Sequence, residues 1–163
     1  MVTVYIWSFR GKREAWGHAS MKVGSNYISW WPEKPGQVPS GIHENIYASS
    51  PYRNRSFEAD TEAEGQPPDS VIELNGLDEN AIKNWWQSFG LARDGVMYQG
   101  PLQSWDTLKR NCSTVVANGL HLGGGDTYAE WHKTWNLVWT PADVKQYALS
   151  IQKGLKKTAS ASK

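Results

Sequence analysis

A single cysteine, Cys112, is the side chain of this sequence best suited to covalent chemistry. It stands in the stretch RNCSTVVANGL, directly after Asn111, and apolar residues recur behind it at helical spacing. Asparagine is a preferred N-cap, so the pattern predicts a helix that begins at Cys112. The unpaired N–H groups and the dipole at a helix N-terminus favour a thiolate over a thiol. The position therefore indicates a cysteine nucleophile, and a small buried hydrophobic residue is the alternative.

Backbone N–H groups near Cys112 suit the second requirement of such chemistry. A thiolate that attacks a carbonyl carbon generates an oxyanion, which amides at a helix N-terminus can bind. The expected donors are the backbone amides of Cys112 and Ser113, and Asn111 stands beside them as a further candidate contact for the oxyanion or the substrate.

Four histidines are available as the base that a cysteine nucleophile requires. His18 begins the segment HASMKV, whose alternation predicts a strand with His18 on its polar side. His43 lies in a Pro/Gly-rich segment and His132 in a tryptophan-rich one, where surface or structural histidines are expected. His121 belongs to the predicted helix of Cys112, about 13 Å further along its axis, which is out of reach. His18 is therefore the predicted base.

The elements that must position these side chains follow from hydrophobic periodicity. Alternating and apolar runs predict four strands, at residues 2–7, 18–23, 27–31 and 71–74. Helical periodicity predicts three helices behind the caps Asp78, Asn111 and Thr140. Strands come first and helices later, which is typical of an α+β domain.

Length and composition fit one domain. With 163 residues, of which 39% are hydrophobic, the chain can bury a core of its own, so a single domain over residues 1–155 is expected. The terminal stretch KKTASASK, residues 156–163, is expected to be a flexible tail. Two Pro-containing segments, residues 32–56 and 61–70, are expected to be surface loops.

Charge and cysteine content argue against several classes of function. Lys and Arg number 17 against 16 Asp and Glu, and the resulting formal charge of +1 gives no large field to attract nucleic acid or an anionic membrane. One cysteine forms no internal disulfide, and no ligand spacing typical of a metal site is found, so neither a metal nor a bound cofactor is expected. We also expect no signal peptide and no integral membrane segment, and the sequence indicates no compartment.

Two stretches resemble a known group of proteins. GHASMKVGSNYISWW, residues 17–31, and RNCSTVVANGL, residues 110–120, resemble the histidine strand and the cysteine helix of circularly permuted papain-like proteins. That group contains the lecithin:retinol acyltransferase-like enzymes and the NlpC-type peptidases, and in it the histidine precedes the cysteine. The sequence is most similar to the Rho-inactivation-domain and IcsB type of bacterial toxin domain, known as lysine fatty acyltransferases.

The resemblance implies a fold and a third catalytic residue. The fold is a small antiparallel sheet packed against helices, with the nucleophile at a helix N-terminus. The lecithin:retinol acyltransferase-like branch has a second histidine where an ungapped match places Trp30. The toxin-type branch has an aspartate downstream of the histidine, and Asp60 is the candidate here, followed by Asp69 and Glu33. The alternative is that Asp60 is one acid of an acidic loop.

The expected function is cysteine-dependent acyl transfer through a thioester, carried by Cys112, His18 and Asp60. The resemblance implies a bacterial effector or toxin that acylates lysine in a protein or peptide substrate, with acyl-CoA as the donor. It is compatible with non-classical secretion or delivery into a target cell. Trp30 and Trp31 are candidates for the wall of an apolar substrate groove, and core packing is their alternative.

Other classes of function stay open. The same thioester serves a peptidase or amidase that hydrolyses a peptide, isopeptide or cell-wall bond. A non-catalytic binding module of the same fold, or an immunity or structural protein with a tryptophan-rich partner surface, are alternatives outside enzymology.

Overall fold

A four-stranded antiparallel sheet lies at the centre of the fold. The structure, a computed structural model, describes residues 1–11, 17–31, 56–88 and 111–161. The sheet has the order β3-β2-β1-β4. Its strands are β1 at Val2–Trp7, β2 at His18–Val23, β3 at Asn26–Ile28 and β4 at Ser70–Leu74.

Four α-helices accompany the sheet in the described residues. They are α1 at Phe57–Glu64, α2 at Glu79–Ser88, α3 at Cys112–Leu122 and α4 at Pro141–Ala161. Single 3₁₀ turns lie at Gly125–Thr127 and Trp131–Lys133. The predicted α+β class with a small antiparallel sheet is confirmed. None of the helices that the structure describes is long and apolar enough to cross a membrane.

The caps predicted for three helices are present. The Asp78 carboxylate accepts a hydrogen bond from the Ala81 backbone N–H at 2.9 Å, at the start of α2. Asn111 caps α3. Thr140 and Asp143 exchange side-chain to backbone hydrogen bonds of 3.0 and 3.2 Å before the first turn of α4. Each bond satisfies a backbone group that a helix end otherwise leaves unpaired.

The two faces of the sheet are covered differently. On one face, apolar side chains of β1 and β2 form a single core with α3 and α4; among its buried members are Val4, Ile6, Ala19, Met21, Val116, Leu120, Val144 and Ile151. On the other face, Phe57 of α1 packs on Tyr5 with ring centroids 4.8 Å apart and near Trp7 at 6.2 Å. The start of β2 therefore lies between α1 on one face of the sheet and the α3 and α4 helices on the other.

The backbone before His18 requires glycine. Gly17 has a φ of 80°, and a Cβ at this position would lie 2.7 Å from the carbonyl oxygen of Trp7. Both the left-handed conformation and the close approach exclude other residues. The contact fixes the start of β2, where His18 pairs with Trp7 of β1.

Three expectations differ from the structure. Residues 57–64 form α1, capped by Ser56 and ended by Gly65, rather than a short run and a loop. Strand β3 ends at Ile28, so residues 29–31 lie beyond it. Helix α4 continues to Ala161, so residues 156–161 are helical with exposed side chains. Of the predicted loop at 32–56, residues 32–55, with Glu33 and His43, lie outside the described residues.

Gly154 provides a test of how α4 is held in place. A Cβ at Gly154 would overlap the backbone carbonyl of Tyr128. Replacing glycine by alanine within a helix normally stabilises a protein by about 1 kcal/mol. Here we expect Gly154→Ala to lower the free energy of unfolding by about 1–3 kcal/mol because the site is overpacked. Urea unfolding measures this, with the exposed Lys157→Ala as the control; a stabilised Gly154→Ala protein would contradict the packing.

Candidate functional site

His18 lies at the meeting point of the sheet and helix α1. It is buried at the first position of β2. Its Nε2 atom lies 3.0 Å from Oδ2 of Asp60 and 3.0 Å from Oγ of Ser29. One side of the imidazole ring is therefore committed to a carboxylate.

Asp60 is fully buried in α1 and is surrounded by donors. Besides His18, its Oδ2 atom accepts hydrogen bonds from the Ser29 hydroxyl at 2.6 Å and the Tyr27 hydroxyl at 2.8 Å. Its Oδ1 atom accepts from the indole N–H of Trp31 at 2.8 Å. Burying a carboxylate is costly unless it is paired and hydrogen-bonded, and this one is both.

Cys112 is placed by the cap of α3. The Asn111 side-chain oxygen accepts from the Thr114 backbone N–H at 3.0 Å, and the Thr114 hydroxyl accepts from the Asn111 backbone N–H at 3.3 Å. The Asn111 amide nitrogen also donates to the Trp139 carbonyl at 3.0 Å. This capping box begins the helix at Cys112, a residue of intermediate exposure.

The Cys112 thiol and the His18 ring influence each other's ionisation. Burial raises the pKa of the thiol, but the charge and hydrogen bond of His18 outweigh it and bring the pKa below its usual value. The backbone N–H of Ala19 and the hydroxyl of Ser113, 3.9 Å from the sulfur, act in the same direction. Because Nε2 of His18 is engaged by Asp60, Nδ1 is the ring nitrogen that remains available for proton transfer with the thiol.

His18 carries positive charge between two anions. Burial lowers the pKa of its imidazole, but the Cys112 thiolate and the Asp60 carboxylate together raise it to about 10. For Asp60, burial raises the pKa, and the charge of His18 with the surrounding hydrogen bonds brings it down to about 2. The arrangement favours a thiolate, an imidazolium and a carboxylate in contact, which is the ionisation state of an activated cysteine nucleophile.

Trp31, predicted as part of a substrate groove, packs against the other residues of the site. Its ring stacks on His18 with centroids 4.4 Å apart, while its N–H binds Asp60. Trp30, the other candidate for a substrate groove, is buried in the core. The side chain of Asn111 serves the helix cap, and Ser113 is fully buried beneath Cys112.

The sequence analysis missed Tyr27 and Ser29 as members of the site. Tyr27, Ser29 and Trp31 are two residues apart, and all three donate to Asp60. Side chains two apart share one face of an extended chain. The polar alternation in NYISWW was therefore the available signal. Ser20 of β2 extends the network, since its hydroxyl lies 2.7 Å from that of Tyr27.

The remaining candidates lie elsewhere. Asp69 accepts from the Ser8 backbone N–H at 2.6 Å and from Gln66. His121 lies 2.7 Å from Asp126, and His132 is exposed. Within the described part of the chain, no three His, Cys, Asp or Glu side chains are grouped as metal ligands.

A family model described as the IcsB middle domain matches residues 43–163 of the chain. The matched region contains Asp60 and Cys112, whereas the strand that carries His18 precedes it. No curated protein and no solved structure gave a match. The match covers most of the chain and two of the three groups of the site.

Asp60 should make the free energy of unfolding depend on pH in the acid range. Its folded pKa of about 2 is below the ordinary 3.8, so its ionisation stabilises the fold above pH 3.8 and this contribution is lost as the pH falls to about 2. The shift corresponds to about 2 kcal/mol. We expect Asp60→Asn to lower the free energy of unfolding by about that amount near neutral pH, and by less in acid.

Urea unfolding at about pH 6 and about pH 2.5 measures the difference between the two proteins. Glu62→Gln, an exposed acid on the same helix, is the matched control and should change stability little at either pH. A deficit of Asp60→Asn that is equal at both pH values would show that the carboxylate charge is not stabilised in the fold.

Proposed function

The chain belongs to the IcsB middle-domain family, which is a family of bacterial effector domains, and from this premise we propose that it is a cysteine-dependent acyl-transfer enzyme. The observation that carries the proposal is the buried His18, which is bound through Nε2 to Asp60 and lowers the pKa of Cys112 at a helix N-terminus. Nucleophile, base and orienting acid are the three parts that covalent catalysis by cysteine requires.

The first half of the reaction forms a thioester. The Cys112 thiolate attacks the acyl carbonyl carbon, and a carbon–sulfur bond forms. The negative charge passes to the carbonyl oxygen, for which the backbone amides of Cys112 and Ser113 are the proposed donors. When the tetrahedral intermediate collapses, the bond to the leaving group breaks, and the His18 imidazolium gives that group its proton.

The second half returns the enzyme to its starting state. Neutral His18 takes a proton from the incoming nucleophile, which attacks the thioester carbon and releases the Cys112 thiolate. A lysine amine as nucleophile gives an amide and makes the protein a lysine acyltransferase. Water gives a carboxylic acid and makes it a hydrolase.

The chain order of the site supports a permuted papain-like arrangement. His18 on a strand comes first, Asp60 on α1 follows, and Cys112 at the start of α3 is last. The family and the resemblance at residues 17–31 and 110–120 favour a fatty acyl group and a lysine acceptor. Acyl-CoA is the proposed donor.

The reactivity of the thiol tests whether the pair is formed. Because the pKa of Cys112 lies below its usual value, alkylation by iodoacetamide should remain fast at pH values where an ordinary thiol reacts slowly. His18→Gln removes the imidazolium, so we expect the pH profile to shift upward and the rate at about pH 7 to fall about tenfold. Intact mass gives the rate at Cys112 without background from other cysteines.

The exposed His132→Gln is the matched control and should leave the profile unchanged. An inert thiol in the wild-type protein, or a profile that is the same in His18→Gln, would favour the binding-module alternative, in which Cys112 is a structural residue.

Transfer chemistry is tested by incubation with palmitoyl-CoA. We expect a palmitoyl adduct on the wild-type protein that neutral hydroxylamine removes, as it does a thioester, and that is absent in Cys112→Ala. Addition of a lysine peptide should then give an acylated peptide. A reactive thiol without an adduct, combined with cleavage of a peptide or cell-wall substrate, would instead identify a hydrolase.

A further inference from the structure

Three large apolar side chains stand in solvent on one short segment. Trp131 is 85% exposed, Trp135 74% and Leu137 83%. We call them the apolar triplet. They lie on and behind the 3₁₀ turn Trp131–Lys133. Folded proteins rarely leave neighbouring large apolar groups in water unless another surface covers them.

The segment of the triplet is anchored rather than loose. The Glu130 backbone N–H donates to the Ser150 hydroxyl at 2.8 Å, so the segment begins on α4. It ends at the buried Trp139, whose carbonyl accepts from Asn111, the cap of the Cys112 helix. Leu137 is two residues from that carbonyl, about 7 Å of chain. Leu137 therefore lies near the N-terminus of α3.

Positive charge accompanies the triplet. Residues 128–161 contain five lysines and two acids, whereas residues 56–88 contain one lysine and eight acids, of which all but Asp60 and Glu64 lie at the surface. Lys133 and Lys153 both lie against Glu130, at 3.6 and 3.2 Å. Lys156 and Lys157 extend the charge along a shallow groove of α4 that Lys153 and Leu149 also line. Although the net charge of the chain is only +1, residues 128–161 are therefore basic and residues 56–88 are acidic.

We propose that the apolar triplet, with the lysines of α4, docks this domain onto the surface of an anionic lipid bilayer. Tryptophan prefers the interface between headgroups and hydrocarbon, because its ring is apolar and its N–H is polar. Each lysine near an anionic surface adds attraction, and the acidic surface of residues 56–88 is repelled, which sets the orientation. The docking does not depend on the proposed catalysis.

Flotation with lipid vesicles tests the docking. We expect the protein to bind phosphatidylcholine vesicles that contain about 30% phosphatidylserine, and to bind pure phosphatidylcholine at least about tenfold more weakly. The variant W131A/W135A/L137A should lose about tenfold or more of its binding to the anionic vesicles. Val71→Ala, an exposed apolar residue on β4 in the acidic region, is the matched control and should bind like wild type.

Two further variants separate the contributions. Lys156→Gln with Lys157→Gln should weaken binding at low salt and reduce its dependence on salt. Cys112→Ser should bind as well as wild type, so that a failed catalytic proposal leaves this measurement unaffected. Absence of vesicle binding, or equal binding to neutral and anionic vesicles, would overturn the proposal. A dimer that the triplet variant abolishes would overturn it as well, because a second copy of the chain would then cover the triplet.

Discussion

The buried carboxylate of Asp60 is the constraint on which the site depends. A charge without solvent contact must find donors within the protein, and Asp60 finds His18, Tyr27, Ser29 and Trp31. These donors come from two strands and the residues after β3, so the carboxylate joins α1 to one end of the sheet. The second buried acid of the helix, Glu64, binds the Arg10 guanidinium at 3.1 Å. Helix α1 is therefore attached through charge and hydrogen bonds as much as through apolar packing.

The thiol is positioned from the opposite layer by independent means. Asn111 closes a capping box and also reaches the Trp139 carbonyl, so the first turn of α3 is held to the segment before α4. The Ala19 backbone N–H of β2 acts on the thiol as well and lowers its pKa. His18 thus lies between the Asp60 carboxylate and the Cys112 thiol. The hydrogen bonds that hold Asp60 are separate from those that hold the first turn of α3.

The sequence predicts the fold well wherever burial is apolar. Strands β1 and β2 and helices α2 and α3 follow from periodicity and caps, because apolar spacing records which face is covered. Helix α1 was not predicted because its buried residues are the acids Asp60 and Glu64. An analysis based on hydrophobic spacing treats such residues as exposed. Tyr27 and Ser29 become hydrogen-bond donors of the site only because α1 packs against the sheet and brings Asp60 to them. This long-range contact cannot be predicted from a local sequence pattern. Cys112 and His18 were recognisable because their positions, at a helix start and a strand start, are local properties.

In the proposed reaction the environment of His18 changes at the step where its role must change. Before acylation, the thiolate and Asp60 both stabilise the imidazolium and raise the pKa of His18. Formation of the carbon–sulfur bond removes the thiolate charge, so the ring keeps Asp60 as its anion while burial continues to favour the neutral form. The pKa of His18 therefore falls already in the tetrahedral intermediate, where the ring releases its proton to the leaving group. The neutral ring of the thioester state can then accept a proton from an incoming amine or water, while the bond between Nε2 and Asp60 stays in place.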